Sequence, residues 1–359
     1  MNPLDLTDDV WGWLRGTRWR PPAVAATTPE RRKTYISALE QAEQFFRAAA
    51  GASPAASPIL IFYGLSQAGR AIAAAANSAT ADRWQLTGHG ITQAKGTLAG
   101  PLPAVPVYTR KAGNAGSFVR LSELLGSPLW DEGDAIRFAA LWDSLPENRL
   151  TPLEDADESR RTPLCVEDRH VYEARETQEP HPLVSVDVCK FPPWVASSPN
   201  PTKALDDYLS SFPDARGYHS YVLDPDCRDA KPDFTVHRSD GWSELRMNWQ
   251  VPDGQIGTPA EQLGFWKTVP RSYGDARYFF PALGANTASL HPLMTWWAVL
   301  HTLSMLARYQ PAEWSDHIDV DRSRYAVPLE SLLNRALEFL PRLIAYTIDE
   351  VCDGELTSR

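Results

Sequence analysis

The stretch PILIFYGLSQAGRAIAAAAN, Pro58 to Asn77, decides how the rest of the chain reads. Ile61, Leu65, Ala68, Ile72 and Ala75 recur at helical spacing and form one apolar stripe. Gly64 and Gly69 stand inside this helix, where each costs about 1 kcal/mol relative to alanine. Close approach of another backbone is the expected compensation. Tyr63, Gln67, Arg70 and Asn77 fall on one narrow polar line, with Ser66 beside it. That line is either a thin solvated face or a cleft-lining cluster in which Arg70 holds an anion or a carboxylate.

A second helix of the same character lies far downstream. SLHPLMTWWAVLHTLSMLARY, Ser289 to Tyr309, puts Leu293, Trp296, Leu300, Leu303 and Ala307 on one stripe. Trp297, His301, Ser304 and Arg308 form another line, and Pro311 ends the helix. If the two helices pack, Gln67 and Arg70 face His301, Ser304 and Arg308. Two guanidinium groups in one half-buried place repel unless an anion or a carboxylate sits between them. Glu313 or Asp316 supplies that charge in a purely structural cluster. A phosphate-bearing ligand, a nucleotide or an RNA end supplies it in a binding site.

Upstream, Thr28 can cap a helix with Pro29 at its first position and Glu30 at its positive end. Tyr35, Leu39, Ala42, Phe46 and Ala49 continue it, and Gly51 to Pro54 stop it. It then forms an antiparallel hairpin with the stretch from Pro58. Residues 1–27 read as an irregular arm in which Trp11, Trp13 and Trp19 alternate with Arg15, Arg18 and Arg20. The tryptophans pin such an arm to a domain surface, or the run stacks on bases. Pro328 starts a last helix that Pro341 should kink.

Residues 79–288 are rich in Gly, Pro and short alternating segments. VPVYTR and GSFVRL read as a hairpin around KAGNA, DAIRFAALWDSL as a short helix from Asp134, and 146–163 as an exposed loop. LVSVDVC and YHSYVLD read as strands, and helices are expected from Pro201 and Thr258. FTVHRS and WSELRMNWQV flank an Asp240-Gly241 turn. The expected fold is α+β. A helical bundle is formed by both chain ends, 28–78 and 289–352, with a large mixed αβ insertion over 79–288 and the arm over 1–27.

The chain has 359 residues, enough for two domains or one large one, and a net charge of −10, which argues against broad electrostatic binding to nucleic acid or anionic membrane but leaves room for a local basic patch. The two most apolar segments contain Arg70, or His301 with Arg308, and so read as core helices rather than membrane spans. The opening MNPLDLTDDVWGWL has no basic n-region, so a cytoplasmic protein is expected. Cys165, Cys189, Cys227 and Cys352 form no CxxC and have no histidine at zinc-ligand spacing. Reduced thiols are expected, and no metal site. GxSxG, Walker, GxGxxG and HExxH motifs are absent, so no cofactor is specified.

Two segments carry a resemblance. FYGLSQAGRAIAAA, Phe62 to Ala75, and LSMLARYQPAEW, Leu303 to Trp314, resemble the YaaC-like family of bacterial proteins. An early family helix carries a similar FYG…QA-R/K-A segment, and a late one a similar S-x-L-A-R-Y-x-P-x-x-W segment. The resemblance implies that the two helices pair. Their layout is also similar to HEPN-type bundles, many of which act on RNA in stress and antiviral systems.

HEPN ribonucleases place a histidine four to six residues after an arginine. Arg83 with His89 and Arg175 with His181 meet that spacing, though chance supplies about as many matches. Gly88-His89-Gly90 reads as a flexible turn presenting a histidine. Asp233 followed by Glu244-Leu245-Arg246 loosely imitates a metal-dependent nuclease motif, with Arg246 in place of the lysine. The same alternation is what a half-exposed hairpin requires.

Two functions are therefore carried forward. One is a non-catalytic binding or scaffold component of a bacterial stress or antiviral-defence assembly. It has a protein partner and a nucleotide or phosphate cluster at Gln67, Arg70, His301, Ser304 and Arg308. The other is a nuclease acting on RNA or DNA, with Arg83, His89, Asp233 and Glu244 as the catalytic candidates. Neither reading involves a membrane.

Overall fold

The computed structural model describes residues 9–94, 96–114, 116–155, 158–172, 183–219, 231–237, 241–250, 264 and 268–356. The Asp9 carboxylate accepts a hydrogen bond from the Gly12 N–H at 2.6 Å and caps α1 (Val10–Trp19). The segment read as an irregular arm thus holds a helix. Leu14 and Thr17 are buried, and Trp11 packs on Phe46 with ring centroids 5.5 Å apart. Arg15 and Arg18 are taken up by the buried carboxylate of Glu43, and Arg18 also by Glu40. Their charge ties α1 to α2 (Pro29–Ala50).

α2 starts where the sequence predicts. Thr28 Oγ1 accepts from the Arg31 N–H at 3.2 Å, and Pro29 follows. α3 (Ser57–Ala75) returns along α2. Arg31 then closes the hairpin. Its guanidinium is buried and donates to the carbonyls of Ala74, Ala76 and Ala79 at 2.8, 2.7 and 3.2 Å. The end of α3 would otherwise leave such carbonyls unsatisfied.

Next come β1 (Ile91–Gln93), β2 (Pro106–Thr109), α4 (Ser117–Leu124), β3 (Ile136–Arg137) and α5 (Phe138–Asp143). The three strands form an antiparallel sheet in the order β1-β2-β3. The hairpin expected around KAGNA does not form. GSFVRL enters α4, because Phe118, Val119, Leu121 and Ser122 bury one helical face. The helix expected from Asp134 splits into β3 and the shorter α5.

A second, seven-stranded sheet follows, built from β4 (Leu164–Tyr172), β5 (Leu183–Phe191), β6 (Tyr218–His219), β7 (Phe234–Val236), β8 (Ser243–Gln250), β9 (Arg271–Tyr273) and β10 (Ala276–Phe279). Its order is β6-β8-β5-β4-β10-β9, with β7 also paired to β8, and every pairing is antiparallel. Val186 lies opposite Met247 and Val188 opposite Leu245. This apolar face packs with Leu205 and Tyr208 of α7 (Pro201–Leu209), which follows the short α6 (Pro193–Ser197). The predicted β7–β8 hairpin is present, with Gly241 at φ 72°. Cys227 and most of the helix expected from Thr258 lie outside the described residues.

The chain ends in α8 (Pro292–Tyr309), α9 (Pro311–Ile318) and α10 (Ala326–Val351), with Pro341 inside α10. α3 packs on both α8 and α10. The fold is α+β with two antiparallel sheets. It divides into two compact units. One contains Met1–Ala156, Leu283–Asn286 and Leu290–Arg359, and the other Asp157–Ala282 and Thr287–Ser289. The first unit thus takes in residues 79–156, because α4 and α5 pack on α8 and α4 also on α3. No helix among the described residues is long and apolar enough to cross a membrane.

The two glycines of α3 are explained by side chains, not by another backbone. A Cβ on Gly69 would stand 2.6 Å from Trp297 Cζ3 and 2.7 Å from Leu121 Cδ1. One on Gly64 would stand 2.8 Å from the Phe46 ring. Gly69→Ala should therefore destabilise the protein by about 1–3 kcal/mol, against the usual helix-propensity gain. A lower urea midpoint at unchanged m-value would show it, and a midpoint at or above wild type would refute it.

Candidate functional site

The site is built around Phe62, whose ring lies between three aromatic groups. Trp297 is 5.9 Å away, His301 5.2 Å and His89 5.8 Å, centroid to centroid. The two imidazoles are 5.3 Å apart. α3 supplies Phe62, α8 supplies Trp297 and His301, and the loop before β1 supplies His89.

That loop is tied down, so it is not the flexible turn expected. The Gly88 carbonyl accepts from Ser117 Oγ at 2.8 Å, and the His89 carbonyl from the Phe118 N–H at 2.8 Å. The Gly90 carbonyl accepts from the Arg110 N–H at 2.9 Å. Gly90 has φ 77° and touches Gly116 backbone to backbone, with no room for a Cβ on either residue. These bonds hold His89 against Phe62 while its ring remains exposed.

His301 is 1% exposed, and the surrounding bonds fix its tautomer. Thr302 Oγ1 donates its proton to the Ala298 carbonyl at 2.9 Å, so it can only accept from Gln93 Nε2 at 3.0 Å. Gln93 therefore presents its amide nitrogen, which also donates to His301 Nδ1 at 3.1 Å. The His301 proton then sits on Nε2, which is buried and has no hydrogen-bond partner among the described residues. Burial first, then the His89 and Arg308 charges, push the His301 pKa down to about 3. Burial and Arg308 also lower that of His89.

Arg308 closes the site at the surface. Its Nη1 donates to Tyr63 Oη at 2.8 Å, and its guanidinium carbon lies 4.9 Å from the Tyr309 ring centre and 5.8 Å from that of Tyr63. Among the described residues Arg308 has no ion-pair partner. Neither Glu313 nor Asp316 reaches it, and both instead act on His317. Arg70 is elsewhere. It is exposed on α3, two turns beyond Tyr63, and its charge does not act on either histidine. Gln67 is half-buried and Ser304 buried, and neither hydrogen-bonds to His301 or Arg308 among the described residues. Gln93, Thr302 and Phe62 went unread in the sequence. Gln93 had one weak signal, a polar residue sharing a strand face with Ile91.

The other expected constellations are dispersed. Arg83 pairs with Glu123 at 3.1 Å, away from the His89 ring's partners. Thr235, not Asp233, lies opposite Glu244. Glu244 pairs with His237 at 3.3 Å and Arg246 with Asp187 at 3.0 Å. No group of three or more His, Cys, Asp or Glu among the described residues could hold a metal ion. Arg175 and His181 lie outside the described residues.

Fold and site together define an α+β protein in which a buried helix histidine and an exposed loop histidine meet beside a surface guanidinium. A family model described as YaaC-like Protein matches residues 18–348, and the chain belongs to this family. No curated protein and no solved structure matches it.

The His301 environment sets a pH dependence. In the unfolded chain a histidine takes up its proton near pH 6.5, whereas folded His301 resists protonation down to about pH 3. Between these values the unfolded state binds more protons, so stability should fall as pH is lowered. Urea titrations from pH 8 to pH 4 should show this slope, and His301→Gln should flatten it in part. His89 and His317, lowered in the same sense, would carry the remainder. An identical slope in the variant would exclude His301 as its source.

Proposed function

We propose that this protein is a binding component that captures a phosphate-bearing ligand, such as a nucleotide or an RNA end, at Arg308 and His89. The observation that carries the reading is the Arg308 guanidinium. It is oriented by Tyr63 and Tyr309 and has no carboxylate neutralising it among the described residues. A planar fork held in this way suits a phosphate oxygen pair. His89, exposed and near enough for the Arg308 charge to act on it, adds the one N–H donor of its neutral ring. A bacterial stress or antiviral-defence assembly with a protein partner is the proposed setting. The same reading takes the helices of both chain ends as a HEPN-like bundle, supported by the packing of α3 on α8 and α10.

A second reading is favoured by one observation. His89 is an exposed imidazole with a lowered pKa, so it is a neutral base beside a cation. RNA cleavage without metal is the activity it would support.

Thermal unfolding with inorganic phosphate, nucleotides and short RNAs tests both. A ligand at 100 times its Kd should stabilise by about 2.7 kcal/mol. The stabilisation should vanish in Arg308→Ala and persist in Arg70→Ala. No stabilisation by any of these ligands, or one that survives Arg308→Ala, would overturn the binding reading. RNA cleaved in the presence of a chelator by wild type but not by His89→Ala would replace it with the second.

A further inference from the structure

Cys165 of β4 and Cys189 of β5 lie directly opposite each other in the antiparallel ladder. Residues so placed project to the same face, with Cα atoms about 4.5–5.5 Å apart and Cβ atoms at a similar spacing. A disulfide takes Cα separations of about 4.4–6.8 Å and Cβ separations of about 3.5–4.5 Å. The backbone spacing is already suitable, and only the Cβ gap has to narrow. β5 has slack at this point. Its register against β8 shifts between Cys189 and Phe191, and the residue in the shift, Lys190, has φ 76°. A bulge therefore follows directly on Cys189 and can absorb the movement.

The same row of the sheet supplies a proton acceptor. Glu244 lies opposite Cys189 on β8, and Cys189 Sγ donates to Glu244 Oε2 at 3.7 Å. The same oxygen is 3.3 Å from His237 Nε2. The carboxylate stands between thiol and imidazole, which is not the order of a thiol–imidazole nucleophile pair. Access differs between the two thiols. Cys165 is half-buried, whereas Cys189 is 2% exposed.

We propose that Cys165 and Cys189 are a modification site: a dithiol that closes to a reversible cross-strand disulfide on reaction with hydrogen peroxide. The Cys165 sulfur attacks one peroxide oxygen and the O–O bond breaks. Cys165 becomes a sulfenic acid, and the departing hydroxide leaves as water with the thiol proton. Cys189 then gives its proton to Glu244 and attacks the Cys165 sulfur. The S–S bond forms, the S–O bond breaks, and the leaving hydroxide takes that proton to become a second water. Two electrons pass from two thiols to one peroxide. The bridge joins β4 to β5, adjacent strands inside the sheet order β6-β8-β5-β4-β10-β9. It closes the intervening loop and so should raise the unfolding temperature of the oxidised protein. Glu244, a nuclease catalytic candidate in the sequence, has here the role of a base for a thiol.

The test treats the full chain with equimolar hydrogen peroxide, blocks remaining thiols with N-ethylmaleimide, and maps the peptides by mass. The expected product links the Cys165 and Cys189 peptides, lighter by two hydrogens, and dithiothreitol reverses it. Glu244→Gln should give the same product about a hundredfold more slowly, and Cys352→Ser should change nothing. The proposal is overturned if both cysteines remain alkylated, if either bridges to Cys227 or Cys352, or if Cys165 proceeds to sulfinic acid with Cys189 still alkylated. The wild-type map decides between these outcomes even if Cys165→Ser or Cys189→Ser fails to fold.

Discussion

The contact between α3 and α8 is the constraint on which the site depends. Gly69 sits so close to Trp297 that no Cβ fits between them. That separation brings Phe62, two turns earlier on the same face, to the edge of His301. Tyr63, the next residue, is thereby turned to meet Arg308. One helix pair thus sets a buried imidazole, an exposed imidazole and a surface guanidinium together. Packing density makes the arrangement discrete, because a close-packed interior transmits small changes of side-chain volume instead of absorbing them.

Charge is distributed unevenly over this acidic protein. Arg15 and Arg47 meet Glu43, Arg83 meets Glu123, Arg137 meets Glu154, and Arg246 meets Asp187. Arg308 has aromatic rings and a phenol instead. Beneath it the protein has placed a histidine that stays neutral, so among the described residues the guanidinium is the permanent charge that acts on the histidine pair. A group in that setting keeps its full attraction for an anion arriving from solvent.

The helical frame was legible because its signals are local. Thr28-Pro29 marked a start, and the stripes through Leu39 and Leu65 marked buried faces. The β7–β8 hairpin was legible through its alternation and turn. GSFVRL was misread because a short amphipathic helix and a short strand look alike over six residues, and tertiary burial of Phe118 and Leu121 decided between them. The site was half legible. His301 and Arg308 lie one above the other on α8 and could be read from spacing. Arg70 could not be placed, because it shares Tyr63's line on α3 but stands two turns further along, and the axial register of α3 against α8, which the sequence does not give, left Tyr63 rather than Arg70 facing Arg308. Gln93 gave no more than the weak signal of sharing a face with Ile91, since its role depends on a strand meeting a helix roughly two hundred residues later.

The same separation bears on how the chain is made. The α2–α3 hairpin is closed by a short connection at one end and by Arg31 at the other, so it can form as soon as it is synthesised. The face that holds Ile61, Phe62 and Leu65 then waits for α8, which emerges after roughly two hundred further residues. At about 5–20 residues per second the wait is about 10–40 s on the ribosome. For that interval a glycine-notched, aromatic-seeking surface lacks the cover that Trp297 and His301 give it. Such a surface is aggregation-prone while α8 is still to come, and a chaperone's hold would shield it.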